Sequence, residues 1–186
     1  MFIAGPGLGQ SDWGKSLLEM TLKVAGIRPI ILDADALNLL PSMSYPSHPN
    51  QVYTPHPGEA AKLLNTTPDH IQSNRCAALH QLTQQYLGIC VLKGRHTLIG
   101  QGQGLVYECG AGSPGMSSAG MGDVLTGIIA GLAAQRISLL EATCFGVLAH
   151  AMAGEKAAQV IGERGLLATD LFSYIRSIVN PHHDNS

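Results

Sequence analysis

The stretch GSPGMSSAGMGDVLTGIIAG, residues 112–131, places glycines and small hydroxyl residues directly before an apolar segment. Gly120 and Gly122 have no Cβ, so a ligand can approach the backbone closely, and Ser117 and Ser118 can donate hydrogen bonds. The apolar residues that follow recur at helical spacing and predict a helix. Because a helix N-terminus has free N–H groups and a partial positive charge, this stretch is a candidate phosphate-binding loop.

Asp123 stands at the join between the glycines and the predicted helix. A carboxylate repels a phosphate, so anion binding alone does not explain its position. One interpretation gives Asp123 a functional part beside the bound anion. The other makes it a first-turn acid that the helix dipole favours. The local sequence leaves both interpretations open.

Two further motifs hold residues suited to a substrate site. In TPHPGE, the prolines stiffen a turn that directs His56 and Glu59 from the end of a predicted strand. His56 can contact a substrate, and Glu59 can hold a metal-bound water, since magnesium keeps several waters. Equally, His56 can pack locally while Glu59 favours a helix N-terminus. In KGRHT, Lys93 can meet phosphate oxygens, Gly94 permits close approach and Thr97 offers a hydroxyl, or the segment is only the solvated start of a hairpin.

Other familiar nucleotide loops are excluded. The dinucleotide fingerprint needs glycine where Leu125 stands and, for GPGLG, where Gln10 stands, and the G-K-[ST] of a P-loop is missing. Asp33 and Asp35 follow a predicted strand and can bind magnesium, although we expect at least one of them to cap the next helix.

The elements that must position these residues alternate between strand and helix. Strands are expected at residues 2–4, 29–35, 51–56 and 88–94, with a hairpin over 95–109; helices are expected at 12–25, 36–40, 57–64, 67–86, 123–135, 138–161 and 167–179. The first of these helices is predicted from the spacing of Trp13, Leu17, Met20 and Val24. Such alternation implies a largely parallel sheet that is covered on both faces. Ligands bind beyond the C-terminal strand ends of such sheets, where GPGLG, the DAD acids, TPHPGE and KGRHT all fall.

Length and composition favour one domain with a substantial core. The chain has 186 residues, 45% hydrophobic and 13% charged, and its net charge of −2 gives no pull toward nucleic acid or membrane. The uncharged run over 142–154 is shorter than the roughly 20 residues of a membrane span, and the N-terminus lacks the pattern of a signal peptide. Scattered cysteines predict reduced, buried thiols of a cytosolic protein: Cys76, Cys90, Cys109 and Cys144. His150 is expected to be a satisfied core residue, and five histidines are expected to face solvent: His48, His70, His80, His182 and His183.

Taken together, the motifs resemble a known family. GPGLG, ILDADALNLL, YTPHPGEAAKLL, VLKGRHTLI and PGMSSAGMGDVLTGIIAGLAAQ occur in the order seen in ADP-dependent NAD(P)H-hydrate dehydratases of the ribokinase-like superfamily, from Gly5 to about Leu171. The resemblance implies a single domain over 1–186 with an α/β fold, a ribokinase-like three-layer sandwich with a mostly parallel sheet. Because family members carry a further segment before GPGLG, it also implies an N-terminally truncated domain, the C-terminal two-thirds of the family's.

The activity that the resemblance implies is repair of damaged nicotinamide cofactors. Family members convert the 6S hydrates of NADH and NADPH back to the cofactor, using ADP in bacteria or ATP in eukaryotes and releasing AMP and phosphate. The implied cofactor is Mg²⁺, and the implied partners are the hydrate, the nucleotide and further copies of the chain, with a tetramer in the family and a functional link to a hydrate epimerase. The implied location is the cytoplasm, with no nucleic-acid or membrane partner.

The resemblance also assigns residues. It implies that Asp123 is the general base, that Gly120, Met121 and Gly122 form the anion hole, and that Glu59 holds the metal through water. The residues implied to face the hydrate are Gly7, His56 and Asp123. Those implied to bind the nucleotide are Lys93, Gly94, Arg95, His96, Thr97 and Gly122.

Two other functions are compatible with the sequence. One is a kinase of a small vitamin-precursor alcohol, although sugar and vitamin kinases of the superfamily more often have asparagine where His56 stands. The other is a non-catalytic nucleotide-binding remnant. The glycine loop departs from the family at two positions, since Ser113 replaces asparagine and Ala119 replaces a glycine for which a positive φ is conceivable.

Overall fold

A computed structural model describes residues 1–180 and contains a six-stranded sheet whose strands follow each other in chain order. The strands are β1 (Phe2–Ala4), β2 (Ile30–Leu32), β3 (Gln51–Tyr53), β4 (Ile89–Leu92), β5 (Thr97–Gln101) and β6 (Val106–Cys109). The first four run parallel, while β5 and β6 form the predicted hairpin antiparallel to β4. The strands before DAD and TPHPGE are shorter than predicted, since they end at Leu32 and Tyr53.

Helices cover both faces of this sheet, as predicted. They are α1 (Asp12–Ala25), α2 (Asp35–Leu39), α3 (Pro57–Leu63), α4 (Pro68–Ser73), α5 (Arg75–Gln85), α6 (Met121–Ala133), α7 (Leu139–Ile161) and α8 (Leu171–Val179). Leu32 and Tyr53 belong to the core under α1, α2, α3 and α5, whereas Ile31 and Val52 point to the opposite face and pack under α6 and α7. Alternation of side chains along β2 and β3 therefore produces two cores, and the architecture is the expected three-layer α/β sandwich.

The segment between Thr67 and Tyr86 forms two helices, so the prediction of one continuous helix is wrong. Thr67 caps α4 by accepting a hydrogen bond from the His70 N–H. The chain then becomes extended at Asn74 (φ −150°), whose side chain accepts a bond from the Ala77 N–H and starts α5. Asparagine favours such caps because its short side chain competes for backbone donors, which apolar spacing does not reveal.

Helix α1 has the predicted bounds but buries the opposite stripe. Leu18 and Leu22 pack on the sheet, while Trp13 and Met20 are 68% and 62% exposed. Gly14 explains the choice of face, because a Cβ there would lie 2.5 Å from the Gly9 carbonyl oxygen. The residues whose spacing predicts the helix therefore form an exposed apolar stripe on its outer side: Trp13, Leu17, Met20 and Val24.

Other expectations about membrane spans, cysteines and histidines are confirmed in some cases and wrong in others. Among the residues that the structure describes, no helix is long and apolar enough to cross a membrane. Cys90 is buried as expected and Cys109 and Cys144 are half-buried, but Cys76 is exposed on the outer side of α5. Of the histidines expected to face solvent, His70 is exposed, whereas His48 has a buried Nε2 with no partner; His182 and His183 lie outside the described residues.

Candidate active site

The C-terminal ends of β1 to β4 form one edge, where the predicted motifs meet. Lys93, directly after β4, is the centre of this edge: its Nζ lies 2.8 Å from Asp33 Oδ1 and 3.8 Å from Glu59 Oε2. The Lys93 N–H also donates to the Pro55 carbonyl oxygen at 2.8 Å. DAD, TPHPGE and KGRHT are therefore in direct contact, as the parallel topology predicts.

Asp33 is one of the least exposed charged groups of the protein, at 1%. Burial acts to raise the pKa of its carboxyl group, but the Lys93 ammonium outweighs this effect and holds the pKa below the usual 3.8. The second carboxylate oxygen accepts a hydrogen bond from Thr126 Oγ1 at 3.1 Å, on α6. The expectation that Asp33 or Asp35 caps α2 is wrong, because α2 begins after Ala34 without a side-chain cap.

Asp35 instead shapes the GPGLG turn. It accepts hydrogen bonds from the Gly9 N–H at 2.8 Å and from Gln10 Nε2 at 3.0 Å. The sharp reversal at Ala34 (φ 48°) sends the two carboxylates apart, Asp33 inward and Asp35 to the turn. A non-glycine residue in this region is strained, which is typical of backbone near functional sites. Gly7, predicted to face the hydrate, is exposed in the same turn with φ 67°.

His56 and Glu59 close a reciprocal cap on α3. His56 Nδ1 accepts bonds from the Gly58 and Glu59 N–H groups at 3.0 and 3.4 Å, and Glu59 Oε2 accepts from the His56 N–H at 2.8 Å. Both residues therefore have the local structural role that was the alternative to a role in binding substrate and metal. The cap also fixes the tautomer of the His56 imidazole, because an accepting Nδ1 leaves the proton of the neutral ring on Nε2. The His56 side chain is 56% exposed.

The site offers a divalent cation little direct coordination. Within residues 1–180, no cluster of three or more His, Cys, Asp or Glu side chains can hold a metal. Glu59 is nearly buried, and one of its oxygens is engaged by the His56 N–H. Such a set does not make a protein cage, but it fits Mg²⁺ held through water, since Mg²⁺ keeps several waters and often takes only one or two carboxylates.

The glycine loop ends in the uncapped N-terminus of α6. Gly120 is the N-cap residue with φ 85°, and no side chain caps the helix. The positive φ falls on Gly120, and Ala119 is not among the residues with positive φ, so this departure from the family carries no backbone strain. The first N–H groups of α6 are therefore available to an anion. Asp123 is exposed in the first turn, and a methyl group on Gly122 would lie only 3.3 Å from Lys93 Nζ.

The segment before α6 is anchored to the segment that follows α7. Ser118 Oγ donates to the Leu166 carbonyl oxygen at 2.7 Å, and Ser113 Oγ donates to Glu163 Oε1 at 3.0 Å. Ser117 Oγ donates within the segment, to the Pro114 carbonyl oxygen at 2.9 Å. The hydroxyls that the sequence offers for a ligand thus hold the loop itself.

The KGRHT turn depends on a residue that the sequence did not single out. Arg75, at the start of α5, donates to the carbonyl oxygens of Leu92 at 2.9 Å and of Lys93 and His96 at 3.4 Å. A Cβ at Gly94 would lie 3.0 Å from Arg75 Nη1, so the glycine admits the guanidinium. Arg75 stands in the first turn of α5, where a cation is unfavourable to the helix dipole. This unfavourable position is the signal by which the sequence could have indicated a special role for Arg75.

Of the other nucleotide-binding candidates in the turn, two contact protein groups and one is exposed. His96 Nδ1 lies 2.6 Å from Glu108 Oε1 on β6, and Thr97 Oγ1 donates to the Gly94 carbonyl oxygen at 2.9 Å. Arg95 is exposed. These contacts hold the turn in shape.

His150, on α7, was expected to be a satisfied core histidine, but its buried Nε2 has no hydrogen-bond partner. Burial lowers the pKa of this imidazole to about 4; a backbone hydrogen bond at Met121 acts to raise the pKa, and the Lys93 charge acts to lower it. A neutral imidazole therefore lies behind the N-terminus of α6.

Comparison with known proteins identifies the family to which this chain belongs. Residues 1–177 match the NAD(P)H-hydrate dehydratase family. The chain belongs to this family. It is 50% identical over 179 residues to a bifunctional NAD(P)H-hydrate repair enzyme of Coxiella burnetii, and 35% identical over 185 residues to an ADP-dependent (S)-NAD(P)H-hydrate dehydratase of Neisseria meningitidis.

Coverage of these family members is partial. The alignments take in 96% of this chain but 36% of the Coxiella enzyme and 62% of the Neisseria dehydratase. An ADP/ATP-dependent NAD(P)H-hydrate dehydratase of Bacillus subtilis, crystallised with ATP and Mg²⁺, superposes with a TM-score of 0.85 and 28% identity, over 95% of this chain and 62% of that one. The chain thus has the dehydratase fold and spans about a third of the bifunctional relatives.

Proposed function

We propose that the chain catalyses ADP-dependent dehydration of the 6S hydrates of NADH and NADPH, which regenerates the cofactor and releases AMP and phosphate. Family membership supports the reaction class. The observation that carries the proposal is the position of Asp123, an exposed carboxylate in the first turn of α6. It directly follows Gly122, whose Cβ position would lie 3.3 Å from Lys93 Nζ. A base and an anion site thus share one helical turn, and a cation lies beside that turn.

Nucleotide binding falls to the ends of β4 and α6. The Lys93 ammonium attracts phosphate oxygens, and the nucleotide binds along the turn around Gly94, which Arg75 holds in shape. The N–H groups of Gly120, Met121 and Gly122 stabilise the charge that spreads over the oxygens of a phosphoryl group in transfer.

Asp123 accepts the proton of the hydrate's hydroxyl group as that oxygen attacks the terminal phosphorus of ADP. The P–O bond to AMP breaks, and AMP leaves with the bonding electrons. The phosphorylated hydrate then loses phosphate, with cleavage of its C–O bond and loss of a proton from the neighbouring ring carbon, and the nicotinamide double bond is restored. Positioning of a general base typically contributes about 10²- to 10⁴-fold to the rate.

The carboxylates of the site fit a magnesium nucleotide. Asp33 and Glu59 share one lysine, so the cluster keeps a negative charge to which Asp123 adds another. Mg²⁺ would neutralise phosphate charge when bound, and Glu59 would hold it through water. His56 faces the hydrate with Nε2–H as a donor, because Nδ1 is occupied by the α3 cap.

We also propose that the protein acts in the cytoplasm as a homo-oligomer alongside a hydrate epimerase. The name of the Coxiella relative as a bifunctional repair enzyme supports a link between two repair steps. The exposed apolar stripe on α1 supports burial of this face against further protein.

The test is an assay on the purified chain with acid-generated NADH hydrate, Mg²⁺ and either ADP or ATP, followed by recovery of absorbance at the NADH wavelength and by AMP formation. Stoichiometric NADH and AMP support the dehydratase. Phosphorylation of a hydroxyethylthiazole or pyrimidine alcohol without hydrate turnover supports the kinase instead. Nucleotide binding without either reaction supports a non-catalytic remnant and contradicts our proposal.

A further inference from the structure

Asp33 joins three elements beneath the proposed nucleotide site. It follows β2, its Oδ1 accepts a hydrogen bond from Lys93 Nζ at the end of β4, and its Oδ2 accepts one from Thr126 Oγ1 on α6. The two bonds measure 2.8 and 3.1 Å and use both carboxylate oxygens. Because the residue is 1% exposed, its carboxylate is covered by these partners and contacts no solvent-borne reactant directly.

The ion pair lies directly against the first turn of α6. A methyl group on Gly122 would be 3.3 Å from Lys93 Nζ and 3.5 Å from Asp33 Oδ2. The ammonium therefore sits where the free N–H groups of this helix begin. Both cationic contributions to the anion site, the helix N-terminus and the lysine, are held at one place.

Lys93 has a second carboxylate within reach, and the distances decide between the two. Glu59 Oε2 is 3.8 Å from Nζ, beyond hydrogen-bond length, whereas Asp33 Oδ1 is at 2.8 Å. Without Asp33, Glu59 would still attract the ammonium, but from beyond hydrogen-bond length. A lysine side chain also loses up to about 2 kcal/mol of rotamer entropy when it is fixed, and the contact with Asp33 fixes it before the nucleotide arrives.

We infer that Asp33 is a positioning residue of the nucleotide site, which orients the Lys93 ammonium toward the phosphates at the N-terminus of α6. The inference rests on the proposed function, because it assumes a nucleotide at Lys93. It assigns Asp33 no contact with substrate. Asp33 also adds a negative charge that repels phosphate. If positioning of Lys93 dominates, loss of Asp33 weakens nucleotide binding. If repulsion dominates, loss of Asp33 strengthens nucleotide binding.

The test is a double-mutant cycle on the full 186-residue chain, read by calorimetric titration with ADP and Mg²⁺. Asp33→Asn is expected to weaken ADP binding about tenfold, equivalent to about 1.4 kcal/mol. Lys93→Ala is expected to weaken it at least as much. In the Lys93→Ala background, adding Asp33→Asn should not weaken binding further, because the lysine that Asp33 positions is gone and only the loss of its negative charge remains.

Thr126→Val is the matched control for destabilisation. It removes the other hydrogen bond of Asp33 and leaves the Lys93 contact, so it should lower the urea midpoint while ADP affinity changes less than about threefold. Equal or tighter ADP binding by Asp33→Asn overturns the inference, as does a further tenfold loss in the Lys93→Ala background. If Asp33→Asn does not fold, Asp33→Glu keeps the charge and displaces the carboxylate; wild-type affinity in that variant also overturns it. A wild-type chain that binds no ADP overturns the proposed function together with this inference, whereas normal wild-type binding with unaffected variants overturns the inference alone.

Discussion

Replacement of Gly154 by alanine is expected to destabilise the protein, although alanine normally stabilises a helix interior. Gly154 lies on α7 against Met116, in the segment that leads to the anion site, and a Cβ there would lie 2.1 Å from Met116 Sδ and 2.7 Å from both Cγ and Cε. Because Cγ is also too close, a rotation of the terminal methyl group does not remove the overlap. Overpacking of this kind costs about 1–3 kcal/mol, and the gain in helix propensity returns about 1 kcal/mol. The expected net loss is up to about 2 kcal/mol in the free energy of unfolding.

Urea unfolding followed by circular dichroism measures this loss. Gly131→Ala is the matched control, because Gly131 is an exposed glycine in the interior of α6 with no atom near its Cβ position, and it should gain up to about 1 kcal/mol. In Met116→Ala, the further change Gly154→Ala should no longer destabilise, since the methyl group fits the vacated space; the coupling energy should be about 1–3 kcal/mol. A Gly154→Ala protein as stable as Gly131→Ala would refute the packing of Met116 in this notch.

Three further outcomes are expected. Asp123→Asn should retain ADP binding but lower hydrate turnover by about 10²-fold or more, and equal turnover would remove Asp123 as the base. Arg75→Ala should weaken ADP binding and cost about 1–3 kcal/mol of stability, because its bonds to the carbonyl oxygens of the KGRHT turn are lost; calorimetry and urea unfolding test both. Burial lowers the pKa of His150 from 6.5 to about 4, so in this interval the unfolded chain binds a proton that the folded chain does not, and stability should fall as the pH is lowered from about 6.5 to about 4. His150→Gln should flatten that part of the profile, and an unchanged slope would assign it to other groups.

The strands, the helices and the edge that carries the site could be predicted from the sequence because each depends on local pattern. The α1 bounds follow from apolar spacing, and in the structure Ser11 caps this helix by accepting a hydrogen bond from the Gly14 N–H. Polar residues that end buried parallel strands must meet at one edge, whatever their distance in sequence. That rule brings Lys93 near Glu59 and His56 without any knowledge of packing.

Only the tertiary structure decided which side chains act together within the site. Asp33 pairs with residues 60 and 93 positions away, Lys93 and Thr126, and no local pattern distinguishes that carboxylate from Asp35, which bonds the GPGLG turn instead. The buried face of α1 was likewise undetermined, because both of its stripes are apolar and close approach of the backbone at Gly14 selects one of them. Spacing along the chain fixes the period of an element, whereas the partner of a buried charge depends on which groups the completed fold leaves close enough to replace its lost hydration.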